Sequence, residues 1–109
     1  MKKDKWIWMG HAGHLCVSSM CRFHLNTYVG GVIVSTVGEY FPYNEETMVT
    51  IGSGDKSFYE TMVFKAIKTT HKCCPFGQFS GEDLECIRYE TAEEAHKGHL
   101  KLCRKWSKK

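Results

Sequence analysis

Residues 21–40 read CRFHLNTYVGGVIVSTVGEY. Cys21, Phe23, Leu25, Thr27 and Val29 alternate with Arg22, His24, Asn26 and Tyr28, the period-two pattern of a strand. Gly30-Gly31 is a two-residue hairpin signal. Val32–Tyr40, rich in β-branched side chains, is its partner strand. An antiparallel hairpin therefore stands at the centre of the expected fold.

On the N-terminal side, Lys5–Met9 (KWIWM) reads as a short first strand or an entry segment packed on the core, followed by the glycine-rich turn GHAGH. On the C-terminal side, residues 41–56 read as a loop with one short strand at Met48–Ile51, and Phe58–Ile67 as a further strand. His71–Glu85 reads as a second long loop, marked by Cys73-Cys74-Pro75, Gly77 and Gly81, before a last strand at Cys86–Tyr89.

Thr91–Trp106 is the clearest helix. Thr91-Ala92-Glu93-Glu94 forms a capping box, with acids in the first turn and bases in the last. Ala92, Ala95, His96, His99, Leu102, Cys103 and Trp106 share one stripe; Glu93, Glu94, Lys97, Lys101, Arg104 and Lys105 share the other. The fold class is α+β: one domain over residues 1–109, an antiparallel sheet of three to five strands with a single C-terminal helix on one face.

Composition agrees with one modest core. The chain has 109 residues, 42% apolar and 25% charged, with two prolines, so disorder is expected only at the termini. Ile7–Met9 is too short for the apolar region of a signal peptide, and no apolar run reaches membrane-spanning length. The expectation is an intracellular, cytoplasmic protein with reduced thiols and no membrane partner. In that compartment six cysteines clustered with histidines point to metal binding or reactive thiols before disulfides.

Two groups carry that signal. Gly10–Asn26 holds His11, His14, Cys16, Cys21 and His24, and the helix stripe holds His96, His99 and Cys103. His99 and Cys103 are i, i+4 neighbours, and Gly98 leaves space beside His99. A buried imidazole needs a partner at both nitrogens, and zinc is one way to satisfy one of them. The best tetrahedral zinc set takes His14 or His11, Cys21 or His24, His99 and Cys103, with Glu60 and His96 as outer partners. A regular strand puts Cys21 and His24 on opposite faces, so one ion takes only one of them. The competing reading is a satisfied polar network with no metal, the cysteines being ordinary core.

Catalytic readings have weaker marks. A Cys–His nucleophile would use Cys16 or Cys74, but no oxyanion turn or strand–helix elbow accompanies either. A metal-dependent nuclease would use His24, Asn26 and His99, at a spacing too long for the compact ββα-metal motif. An acid–base site would use Glu60 or Glu39. Ile51–Ser57 (IGSGDKS) lacks phosphate-loop spacing and carries a repelling Asp55.

Charge is divided along the chain. Residues 39–94 hold eleven acids against five bases, and the remainder ten bases against one acid. Lys97, Lys101, Arg104, Lys105, Lys108 and Lys109 give the helix end a basic character that suits nucleic acid or another acidic partner.

WIWMGHAGH (6–14), CRFHL (21–25), STVGEYF (35–41), FYETMVF (58–64) and AHKGHLKLC (95–103) together resemble a group of small, functionally uncharacterised proteins encoded in bacteriophage and metagenomic viral genomes. The resemblance covers about half the chain and implies an intracellular product of infection that engages a host component. The expected function is a binding module, stabilised by a His/Cys zinc-like site, that contacts a host protein or nucleic acid, with anti-defence activity one version. The alternatives are a small metal-dependent hydrolase (nuclease or phosphodiesterase) and a small-ligand binder that stacks on Trp6, Trp8 and the tyrosines.

Overall fold

The computed structural model describes residues 6–10, 20–42, 46–52, 54–70, 74–79 and 82–108. It contains β1 (Ile7–Trp8), β2 (Cys21–Val29), β3 (Val32–Tyr40), β4 (Tyr59–Lys68), β5 (Phe76–Gln78), β6 (Glu85–Tyr89) and α1 (Ala92–Ser107). All pairings are antiparallel and run β1-β2-β3-β4, with β6 along Tyr59–Val63 of β4 and β5 along Ala66–Lys68. The α+β class, the antiparallel sheet and the single C-terminal helix on one face are as expected; among the described residues the sheet has six strands, two of them only two or three residues long.

The central hairpin has the expected bounds, and its turn glycines take φ values of 50° and 87°. Elsewhere pairing revises the outline. The first strand is only Ile7–Trp8, and the Met48–Ile51 strand reduces to a single bridge between Val49 and Tyr40. β5 lies inside the stretch expected to be loop, since turn residues such as Pro75 and Gly77 hide a three-residue strand that only its pairing to β4 defines.

Pleating divides the side chains into two layers. On the helix side, Val29, Val32, Val34 and Val63 pack with Leu102 and Cys103, flanked by Trp6 and Trp106. On the other side, Met9, Ile33 and Phe64 form a second cluster with Ile7, Tyr28, Met62, Cys74 and Phe76 around it. Burial on both faces explains why Val32–Gly38 is buried without interruption.

The capping box is formed: the Thr91 hydroxyl accepts from the Glu94 backbone N–H at 3.1 Å, and the Glu94 carboxylate accepts from the Thr91 N–H at 3.3 Å. At the far end, Gly30 lies against the backbone of Trp106 and Ser107, leaving no room for a Cβ. One close approach fixes the sheet's other end. Gly38 pairs with Tyr59, whose ring covers it and whose hydroxyl donates to Glu39 Oε2 at 2.9 Å. A Cβ at position 38 would overlap that ring. Gly38→Ala is therefore expected to cost about 1–3 kcal/mol by overpacking, read as a lower urea midpoint at unchanged m-value. A midpoint within error of the parent would show that the ring yields freely.

Candidate functional site: a buried histidine between three threonines

α1 lays Ala95, His99, Leu102 and Cys103 onto the sheet. Beneath His99, the inward positions of three adjacent strands are Thr27 on β2, Thr36 on β3 and Thr61 on β4, all fully buried like His99 itself. Thr27 Oγ1 lies 2.8 Å from His99 Nε2, and Thr36 Oγ1 lies 2.7 Å from Nδ1. Thr36 also bonds its direct cross-strand partner Thr61, hydroxyl to hydroxyl, at 2.6 Å. The Trp8 ring covers the imidazole, with centroids 5.5 Å apart.

This network answers the demand that a buried imidazole makes. A neutral ring has one N–H and one bare nitrogen, while a hydroxyl both donates and accepts. One threonine therefore accepts from His99 and the other donates to it. Burial, reinforced by the charge of His96, lowers the His99 pKa to about 4, so the ring is neutral near pH 7. The N–H donates to one hydroxyl and the bare nitrogen accepts from the other, so the ring's one lone pair is not free to bind a cation in this geometry. Among the readings open from sequence, the hydrogen-bonded network is the one this arrangement favours.

The other proposed ligands fall in several places. His11 and His14, with Cys16, lie outside the described residues. Cys103 is fully buried one turn from His99, its thiol pushed up to about 12 by burial against the opposing pull of the Thr27 hydroxyl. Cys21 is half-buried and His24 exposed, and their register positions put them on opposite faces of β2. Burial, helped by the Glu60 charge, also raises the thiols of Cys21 and Cys86 to about 11. These three thiols stay protonated near neutral pH, which makes them poor nucleophiles and poor thiolate donors. Among the described residues, no group of three or more His, Cys, Asp or Glu side chains is placed to hold a metal ion.

Two details of the helix differ from the sequence reading. His96 is exposed, because it sits about 100° around the helix from buried Ala95, at the edge of the stripe. Gly98 makes its room for the Tyr89 ring, which a Cβ there would overlap, and not for His99.

Glu60 is 3% exposed and lies on the sheet face away from the helix, in line with Val37 and Arg88. It accepts from Arg88 Nε at 2.9 Å and from the Cys86 thiol at 3.6 Å. The inward carboxylate anticipated from strand parity thus has a cationic partner, on the opposite side of the sheet from His99. Glu39 stands at φ 55°, a left-handed conformation, and is engaged by the Tyr59 hydroxyl.

No family model, curated protein or solved structure matches this chain. The outward side of α1 carries exposed Lys97, Lys101, Arg104, Lys105 and Lys108. Lys97 pairs with Glu93 and Lys105 with Glu85, whereas Lys101, Arg104 and Lys108 form no ion pair among the described residues. Glu85 also accepts from the Trp106 indole N–H at 2.9 Å, tying the end of the helix to β6. No helix among the described residues is long and apolar enough to cross a membrane.

The three threonines were not singled out from sequence, and Trp8 only as a stacking surface for a small ligand. Their signal is present, though weak. Each threonine sits at an inward strand position among valines, where an unpartnered hydroxyl would carry a desolvation cost, and each had to await a partner from another element.

Proposed function

We propose that this protein is a small binding module that engages an acidic macromolecule, nucleic acid foremost, through the basic end of its helix. The observation that carries the reading is the contrast between its two helix faces. The inward histidine is sealed and neutral, and the outward face holds three cations with no described ion-pair partner. A residue of the first kind holds the helix in place, and cations of the second kind attract polyanions. If the chain is a bacteriophage product, as its resemblance implies, the acidic partner is a host component and blocking a host defence is one use of the contact. The buried His99 network enters this function only as a stabiliser of the fold.

Charge reversal tests the proposal. Lys101→Glu with Arg104→Glu is expected to weaken binding to a polyanion such as heparin by about tenfold or more and to flatten its salt dependence. Arg22→Glu, on β2 beside Phe41, serves as the control and is expected to leave binding unchanged. Equal binding by the helix variant and its parent would refute the proposal. Both exposed positions leave the core intact, so circular dichroism should be unaltered.

A further inference from the structure

The end of the helix leaves the far end of β4 uncovered. On the β6 side its last turn bonds Glu85, the residue opposite Val63, through Lys105 and Trp106. β4 continues five residues further, to Lys68. On its helix-side face, the positions after Val63 are Lys65 and Ile67, both exposed, Ile67 by 47%. Phe79 follows β5, donates its backbone N–H to the Lys65 carbonyl at 2.6 Å, and is 60% exposed. That bond and the Ala66–Gln78 pairing set Phe79 beside Lys65 on the same face.

The helix end meets this open strip at the β2–β3 turn. Gly30 lies against Trp106 and Ser107, and the neighbouring Gly31 carbonyl accepts from Ala66 N–H at 3.1 Å. This strip therefore sets an exposed phenyl ring and an isoleucine beside Lys65, next to the end of a helix whose last turns carry Arg104 and Lys108. Exposed Glu82 and Asp83 lie between β5 and β6 in the sequence.

Given the polyanion reading above, on which this inference rests, we infer that the partner is a single-stranded nucleic acid. A base stacks on Phe79, packs beside Ile67, and has its flanking phosphates met by Lys65, Arg104 and Lys108. Cations alone favour a duplex at least as well as a single strand, since a duplex has the denser charge. An exposed ring beside them changes the preference, because only an unpaired base offers its face for stacking. An acidic protein would use the same cations but would gain nothing comparable from a flat ring.

Fluorescence anisotropy with the full chain tests the inference, using labelled oligothymidine and oligouridine of about 16 nucleotides, a matched duplex and polyglutamate. Expected results are single-strand binding about tenfold tighter than duplex, and a loss of about tenfold in Phe79→Ala that spares duplex binding. Lys65→Glu is expected to weaken single-strand binding and reduce its salt slope. Equal binding of strand and duplex, tighter binding of polyglutamate, or an unaffected Phe79→Ala variant would overturn it. If strand and duplex bind equally but helix-end charge reversal weakens both, the polyanion reading stands and the single-strand inference falls. If none of the polyanions binds, both fall.

Discussion

His99→Ala is expected to lower the unfolding free energy by about 3–5 kcal/mol, combining a buried cavity with hydroxyls that lose their partner. Against a typical domain stability of about 5–15 kcal/mol, that loss leaves much of the protein unfolded at moderate temperature. The size follows from the position of the ring, which is fully buried, covered by Trp8 and bonded at both nitrogens to strands β2 and β3. Equilibrium urea unfolding measures the effect. A second variant separates lost polarity from lost volume: His99→Leu together with Thr27→Val and Thr36→Val removes donors and acceptors jointly. It should recover a good part of the loss, since deleting both sides of a buried hydrogen bond costs much less than orphaning one. Failure of His99→Ala to shift the midpoint would mean that the helix is held mainly by Leu102 and its valine neighbours.

The same measurement separates a threonine network from a zinc site. With the imidazole held by hydroxyls, a chelator leaves the unfolding midpoint where it was. A zinc ion held by His99 would have to displace one of the two threonines, and its removal would then lower the midpoint sharply.

The second large effect is on pH. The unfolded chain's imidazole takes up a proton as pH falls through about 6.5. In the native state, burial delays protonation of His99 to about pH 4. Between those values the unfolded state binds more protons, so stability falls with falling pH and is fully present only above about 6.5. Refusing the proton from about 6.5 down to about 4 corresponds to a loss of about 3 kcal/mol, of which about 2 kcal/mol appears by pH 5. Below about 4 both states are protonated and this contribution is flat. Urea midpoints at several pH values should trace the loss, and His99→Gln should abolish most of the slope between 6.5 and 5. A parent curve flat across that window would contradict a sealed, neutral His99.

What the sequence revealed about this fold follows from the range of each signal. The alternation over residues 21–40, the Gly30-Gly31 turn and the Thr91–Glu94 capping box are local, and all three elements form where they were expected. β5 was hidden because three residues that follow Pro75 and include Gly77 have no local strand pattern and depend on β4 for their hydrogen bonds. The site was half legible. Helical periodicity placed His99 inward and strand parity placed Glu60 inward, each with a need for partners. Those partners lie far away in sequence, 72 and 63 residues from His99 for Thr27 and Thr36. Strand register, which no short window specifies, decides which threonine meets which nitrogen. Arg88 reaches Glu60 for the same reason, through the pairing of β4 with β6.

The surface reading depends on a feature that was equally invisible: α1 bonds β6 opposite Val63 while β4 runs on to Lys68, leaving Lys65, Ile67 and Phe79 exposed. The most direct test is an amide chemical-shift map of the full chain titrated with an oligothymidine single strand. The account predicts saturable shifts confined to Lys65–Lys68, Phe79 and Arg104–Lys108. Shifts confined to the opposite sheet face, around His24, Glu60 and Arg88, or no shifts at all, would contradict it.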